Sequence, residues 1–509
     1  MSASTNSRIA RNTVFLYLRM FVSMCISLYT SRVVLNALGT SDYGIYGIVG
    51  SIVVFFSFLN TTLSTSTSRF LTFQLGRDDH DALNHTFTNA VMLHVGIALI
   101  ILVLAETIGL WFLNNHLVIP AGRLDAANWV YQLSVVACMT GIIEVPFKAT
   151  VISHERMDFY AYASIAFSLL KLGIVFLLAV SPYDKLIFYA TLIFACQVVI
   201  FWAYFVYCRI SFSECRLSLR ADRGIMRSMV SFSGWTLYSN ICFTTRQQGS
   251  NVLLNLFGGT VVNAAAGLAS TTLTILEQFA SNLVMASRPQ IIKHYAQADH
   301  SAMLRLMSNT SLFANMLFLV VAVPFVTEIS YILRLWLVNV PPYMVGFSIL
   351  LIAGAYISLN NNVLFVAIQA SGSIRTYSLL AGTTSVLVIP VAYLFFKNGS
   401  TFYWVYILPL FTNSMIYLYC LFVFKRIITG AHILRYMRDS LLRPTLCAVP
   451  AVLLSGLLTL VVEQGFVRLV LIVALSTGAY ISCAYFALTK EMRNTVISQL
   501  SQLKQKFIK

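Results

Sequence analysis

The sequence predicts an all-α polytopic membrane protein of about 14 transmembrane helices: two parallel six-helix repeats followed by two C-terminal helices. Three observations predict it. Hydrophobic residues make up 58% of the 509 and charged residues 10%, against roughly 45–50% and 25% in soluble domains. Apolar runs of about 20 residues, each long enough to cross a hydrocarbon core as a helix, recur from end to end. And a short text is said twice: SRVVLNALG at 31–39 returns as SNVLLNLFG at 250–258.

The runs place spans near 13–37, 43–66, 87–113, 127–150, 159–180, 186–208, 230–257, 260–286, 309–333, 343–370, 377–396, 402–424, 444–462 and 467–488. The first run carries Arg19 and ends in no small-residue cleavage pattern, so it reads as a retained helix rather than a signal peptide. The loops alternate in charge. One set runs from Arg8 and Arg11 through Arg69, Arg77, Arg156, the Arg209–Arg227 cluster, Arg288, Arg305, Arg375 and Lys425–Arg443 to Lys509; the other holds Arg123, Lys185, Arg334, Lys397 and Arg468. The basic set faces the cytoplasm, with both termini. The formal charge of +16 is therefore mostly topology, and no RNA or DNA module accompanies it, so no nucleic-acid partner is expected. The nine cysteines pair in no loop and show no zinc spacing; they read as small buried hydrophobes, and no metal or cofactor is expected.

The repeat extends beyond nine residues. TSRFLTFQLGRDDHDAL follows the second span and ASRPQIIKHYAQADHSAM the eighth. Ser68 and Arg69 align with Ser287 and Arg288 at the same offset, and one residue of slippage aligns Asp79–His80 with Asp299–His300. Each half holds six spans, an even number, so both insert the same way up, as in transporters that rock two similar halves around a central site. The expected organisation is a six-helix lobe at 1–208, a basic linker at 209–229, a second lobe at 230–424, a basic loop at 425–443, two added spans at 444–488 and a basic tail at 489–509.

The stretches SRVVLNALGTSDYGIYGI, EVPFKATVISHERMDFYAYASI and ASRPQIIKHYA resemble the polysaccharide transporter branch of the multidrug/oligosaccharidyl-lipid/polysaccharide exporter superfamily. The resemblance covers the first twelve spans. It implies a V-shaped, bilobed transporter in the bacterial cytoplasmic (inner) membrane, with an undecaprenyl-pyrophosphate-linked oligosaccharide as cargo for capsule, O-antigen or exopolysaccharide assembly. It also implies membrane lipids, a polysaccharide polymerase and a chain-length regulator as partners.

Such cargo has a charged head, so a carrier needs cations inside the membrane, where charges are costly and mark pathways. Five basic residues lie within spans: Arg19, Arg32, Lys148, Lys171 and Arg246. Arg246 sits mid-span in TTRQQGSN, with Gln247 and Asn251; such a polar stretch cannot face lipid, and Arg suits bidentate contact with phosphate. Arg19, Arg32, Lys171, Arg246, Gln247 and Asn251 are the candidate substrate-binding residues. Lys148 either snorkels or pairs with Glu144 four residues before it, and Arg32 either lines the pathway or snorkels outward. Glu277 and Glu144 are the candidate sites for a proton or sodium counter-ion; for Glu277 the rival is a fixed salt bridge. Glu106 and Glu328 lie near outer ends. Arg69 and Arg288 are candidate gate residues, against a plain reading as positive-inside anchors.

No phosphate loop and no H-E-x-x-H occurs, and every outer loop is short, so no catalytic residue is expected. Two alternatives stay open: an ion-coupled multidrug exporter of the same superfamily, and a membrane-embedded assembly partner or polysaccharide-assembly enzyme.

Overall fold

A computed structural model describes residues 3–115, 119, 122–216, 222–337, 339–428, 432–488 and 493; within these, the side chains of residues 3–10, 27–28, 31–32, 35–36, 39–41, 43–44, 47–61, 179, 260 and 275 are not described. Among the described residues the chain is helical throughout, with no strand. Ten segments among the described residues are long and apolar enough to cross a membrane. They include α2 (His80–Leu104, continued through a π-helical turn at Ala105–Gly109 into α3, Leu110–Asn115), α4 (Leu124–Ser153), α5 (Met157–Val180) and α6 (Lys185–Ser211). Further along come α8 (His300–Thr327, followed by the short α9, Ile329–Leu337), α10 (Met344–Ser371), α11 (Arg375–Lys397) and α12 (Trp404–Ile427). The last two are α14 (Arg443–Val461, entered through α13, Ile433–Met437, and a π turn) and α15 (Phe466–Ala487).

The remaining spans are fused in pairs. The first two, expected at 13–37 and 43–66, form one helical ladder, α1 (Ala3–Arg77, 75 residues). At 1.5 Å per residue a straight helix of that length would reach about 110 Å, several times the roughly 30 Å hydrocarbon core. Its contacts show that it doubles back. Arg19 hydrogen-bonds Tyr160, while Ser68 meets Ser153. Tyr160 and Ser153 are separated by no more than about 25 Å of extended chain, whereas Arg19 and Ser68 would be about 73 Å apart on a straight helix. Between them Asp42 meets Arg123, at the far end of α4 from Ser153. The helix therefore runs out to Asp42 and returns to Ser68.

The seventh and eighth spans share α7 (Arg223–Ala296), whose backbone breaks at Gly259 (φ 71°, ψ −171°). This region of backbone space is essentially open to glycine only. A side chain there would meet nothing within 4 Å, so the dihedral and not crowding demands glycine. Gly259→Ala should cost about 1–3 kcal/mol, read as a lower unfolding temperature in detergent; an unchanged temperature would show that the break relaxes freely.

By internal packing the chain forms two compact units, Arg11–Leu237 and Tyr238–Lys509, the latter taking in the first ten residues. Three of their packing pairs correspond. In the first unit α2 packs on α4, α4 on α6 and α5 on α6; in the second α8 packs on α10, α10 on α12 and α11 on α12. Each pair recurs six spans later. The repeat reaches single residues: Asp79 and Asp299 cap α2 and α8, each accepting the amide of Ala82 or Ala302 at 3.0 Å. Asp78 and Ala298, just before them, both take left-handed backbone (φ 57° and 55°). The added pair, α14 and α15, packs on α8 through Leu312, Met316, Val323, Ala451 and Tyr480. A buried salt bridge joins Glu328, at the end of α8, to Arg468 on α15 at 2.6 Å.

Candidate functional site

Each unit carries span residues that apolar packing does not explain. In the first unit the outgoing arm of α1 lies along α5, with Ser168 donating to Ser23 at 3.1 Å. This brings Arg19 to Tyr160: Nη1 donates to the phenol oxygen at 2.9 Å, and the guanidinium carbon lies 5.0 Å from the ring centroid. Lys148, from α4, places its ammonium 5.4 Å from the same ring. Two span cations from different helices thus flank one tyrosine. Glu144, one turn before Lys148, is buried and accepts from Gln197 on α6 at 2.8 Å. It forms no salt bridge with Lys148 among the described residues, so the fixed Glu144–Lys148 pair weighed as one reading is not made. Lys171 lies 4.4 Å from the Phe167 ring, farther along α5. The side chain of Arg32 lies outside the described residues.

In the second unit Arg246, Gln247 and Asn251 lie on α7 before the Gly259 break. Gln247 is exposed, Arg246 and Asn251 half-buried. The Nε of Arg246 is buried without a hydrogen-bond partner, and Tyr406 of α12 is its electrostatic neighbour. Beyond the break, Glu277 lines a cavity of about 170 Å³ within this unit, together with Thr274, Gln278, Ser281, Phe318 and Asn362. No cation pairs with Glu277 among the described residues.

The two gate candidates sit each in its own unit. Arg69 is buried with its guanidinium carbon 4.6, 4.9 and 5.6 Å from the rings of Phe70, Phe73 and Phe232. Arg288 is half-buried, with a buried Nε that finds no hydrogen-bond partner.

Several polar clusters join residues too far apart in sequence to announce themselves. Arg123, ahead of α4, binds both Asp42 of α1 and Asp184, the N-cap of α6, the latter at 2.5 Å. Glu106 accepts from Gln132 at 3.0 Å. On the basic-loop side, His154 pairs not with its neighbour Glu155 but with Glu214 at 2.5 Å, and stacks on Phe212. In the second unit Asn315 and Asn360 exchange amide hydrogen bonds (2.9 and 3.2 Å). Asn315 also donates to Ser440 O at 2.6 Å, a carbonyl within the π turn before α14.

The Asp184 cluster has a pH signature. Burial pushes the Asp184 carboxyl up, but the Arg123 hydrogen bond and the amides of Ile187 and Leu186 outweigh it and hold it below its ordinary value. Stability from a depressed carboxylate is full above its unfolded value, near 3.9, and is lost as pH falls through the lower folded value. Solvent reaches both partners, so the pair contributes on the order of 1 kcal/mol or less. Asp184→Asn keeps the cap and loses the charge. Its unfolding temperature in detergent should lie below wild type at pH 6 and converge with it below about pH 4; a pH-independent gap would contradict this origin.

Solved structures share the fold. A crystal structure of a mutant MATE aligns with a TM-score of 0.70 at 12% identity, over 84% of this chain and 99% of that one. An outward-facing multidrug resistance MATE family transporter of the MOP superfamily aligns with a TM-score of 0.67 at 13% identity, over the same shares. A MOP superfamily transporter from Pyrococcus furiosus aligns with a TM-score of 0.67 at 12% identity, over 84% and 99%; its binding pocket is described as having reverse polarity, suggesting a different function. No family model and no curated protein matches the chain. At this identity the likeness is one of fold: the chain has the fold of MATE transporters.

Proposed function

We propose that this chain is a membrane transporter that flips an undecaprenyl-pyrophosphate-linked oligosaccharide outward across the bacterial cytoplasmic membrane by alternating access. The observation that carries the reading is the set of span cations. Among the described residues none of Arg19, Lys171 and Arg246 forms a salt bridge with a carboxylate, and Lys148 makes none although its charge reaches Glu144, while the salt bridges that do form lie in loops and at helix ends. A cation kept inside a membrane without an acid to neutralise it is costly unless an anion visits. A pyrophosphate is such an anion, and guanidinium groups match its oxygens. A duplicated fold suits alternating access, and one solved structure of the same fold is described as having a binding pocket of reverse polarity that suggests a different function. Catalysis has no part in this reading.

Energy comes first from the membrane potential: moving the anionic head outward from a negative interior is favoured by about 2.3 kcal/mol per charge per 100 mV. Consumption of the flipped lipid by a polymerase, with its chain-length regulator, pulls further. A proton or sodium counter-ion has its candidate in Glu144; an imposed gradient that leaves flipping unchanged in both wild type and Glu144→Gln would remove that role.

Arg69 and Arg288, at equivalent repeat positions, are the gate candidates, each drawing anionic head groups from the inner leaflet at its own unit. Arg69→Ala and Arg288→Ala should each slow flipping several-fold; wild-type rates in both variants would remove the gate.

A second reading, an exporter of organic cations, is favoured by Glu277, an acid that lines a cavity and has no cation partner among the described residues. Deleting the gene separates the two. Accumulation of a lipid-linked oligosaccharide on the cytoplasmic leaflet supports the flippase; sensitivity to organic cations with no lipid intermediate supports the exporter.

A further inference from the structure

Past the Gly259 break, Thr274, Glu277, Gln278 and Ser281 fall at spacing i, i+3, i+4, i+7, one face of the helix. All four are exposed. With Phe318 of α8 and Asn362 of α10 they line the cavity of about 170 Å³, wholly within the second unit. An exposed stripe of this polarity in a span does not face hydrocarbon; it meets water or a polar ligand.

The donor and acceptor pattern narrows the ligand. The hydroxyl protons of Thr274 and Ser281 go to backbone carbonyls, of Ser270 at 2.9 Å and Gln278 at 3.3 Å. Their oxygens and the Glu277 carboxylate therefore offer acceptors, while the amides of Gln278 and Asn362 also offer N–H donors. A bare cation uses acceptors alone, at close range in a tight cage. This cavity has room for roughly five or six waters and supplies donors as well. A sugar ring fits both facts: its hydroxyls donate and accept, and a single ring matches the room the cavity offers.

We propose that this cavity is a glycan subsite that holds one sugar ring of the lipid-linked cargo, with Glu277 and Asn362 reading its hydroxyls. The inference rests on the flippase reading and deepens it. It gives Glu277 the work of selecting the glycan rather than of binding a counter-ion, as its sequence context suggested.

The test uses the full chain in proteoliposomes. Ser281→Cys is modified with a maleimide, and the labelling rate is read at the peptide carrying residue 281 by mass spectrometry. Lipid-linked oligosaccharide extracted from the deletion strain should slow labelling several-fold, whereas undecaprenyl pyrophosphate without sugar, or sodium replacing choline, should not. The same measurement on Thr274→Cys guards against a damaged reporter. In flipping assays Glu277→Gln should retain more activity than Glu277→Leu, because the amide still bonds a hydroxyl. Protection by sodium, equal protection by the sugarless carrier, or equal loss in Gln and Leu variants overturns the subsite. If wild type flips the oligosaccharide lipid yet the glycan gives no protection, the subsite falls alone; if wild type does not flip it, the flippase reading falls and takes the subsite with it.

Discussion

Replacing Arg246 by alanine should cut outward flipping of lipid-linked oligosaccharide by roughly 10- to 100-fold while leaving the protein inserted and abundant. A charge-assisted hydrogen bond is worth about 1.5–3 kcal/mol, and each 1.4 kcal/mol is a factor of ten. Arg246 lies mid-span, is not tied to any carboxylate among the described residues and keeps a buried Nε without a partner; its loss breaks no observed internal bond. Stability should therefore hold or rise, since a desolvated cation is removed. Arg246→Lys should recover part of the rate, because a point charge remains but the planar fork is lost. Flipping at the wild-type rate in Arg246→Ala would remove the residue from the cargo path.

The second large effect is expected in the other unit. Arg19→Ala should slow flipping about as much, and Arg19→Ala with Lys148→Ala further, because the two cations flank one ring, that of Tyr160. Tyr160→Phe is the control: it keeps the ring and removes the oxygen that accepts from Arg19. If Arg19 serves only to hold Tyr160, Phe and Ala variants will match. If Arg19 holds phosphate, Tyr160→Phe will flip at close to the wild-type rate and Arg19→Ala will not. Measured over several concentrations of the lipid, the loss should appear mainly as weaker apparent binding.

Much of this arrangement was legible in the chain because it is written in patterns of short range. The hydropathy runs mark the spans, and the aligned Asp79 and Asp299 turn out to be the same helix cap used twice. The break at Gly259 falls in the gap left between two runs. The turn of the doubled-back first helix likewise falls in the gap between two runs, at 38–42; what the sequence does not show is that helical hydrogen bonding runs on through it. Charge in an apolar run pointed to Arg19, Lys171 and Arg246 for the physical reason that such charge is expensive. What the sequence hid depends on partners far apart: Asp42 with Arg123 and Asp184, His154 with Glu214, Asn315 with Ser440. Glu144 and Glu277 show the difference. From sequence each had a salt bridge as one reading; in the fold Glu144 takes an amide and Glu277 an open cavity.

The central claim is that the cargo is an anionic, sugar-bearing lipid. The direct measurement is outward flipping by purified wild-type protein in proteoliposomes, with lipid-linked oligosaccharide extracted from the deletion strain and its exposure at the outer surface read by enzymatic attack on the glycan. The expected result is protein-dependent exposure that speeds up when the vesicle interior is made negative and is lost in Arg246→Ala. Exposure no faster than in empty liposomes, together with gradient-driven movement of an organic cation by the same vesicles, would contradict it.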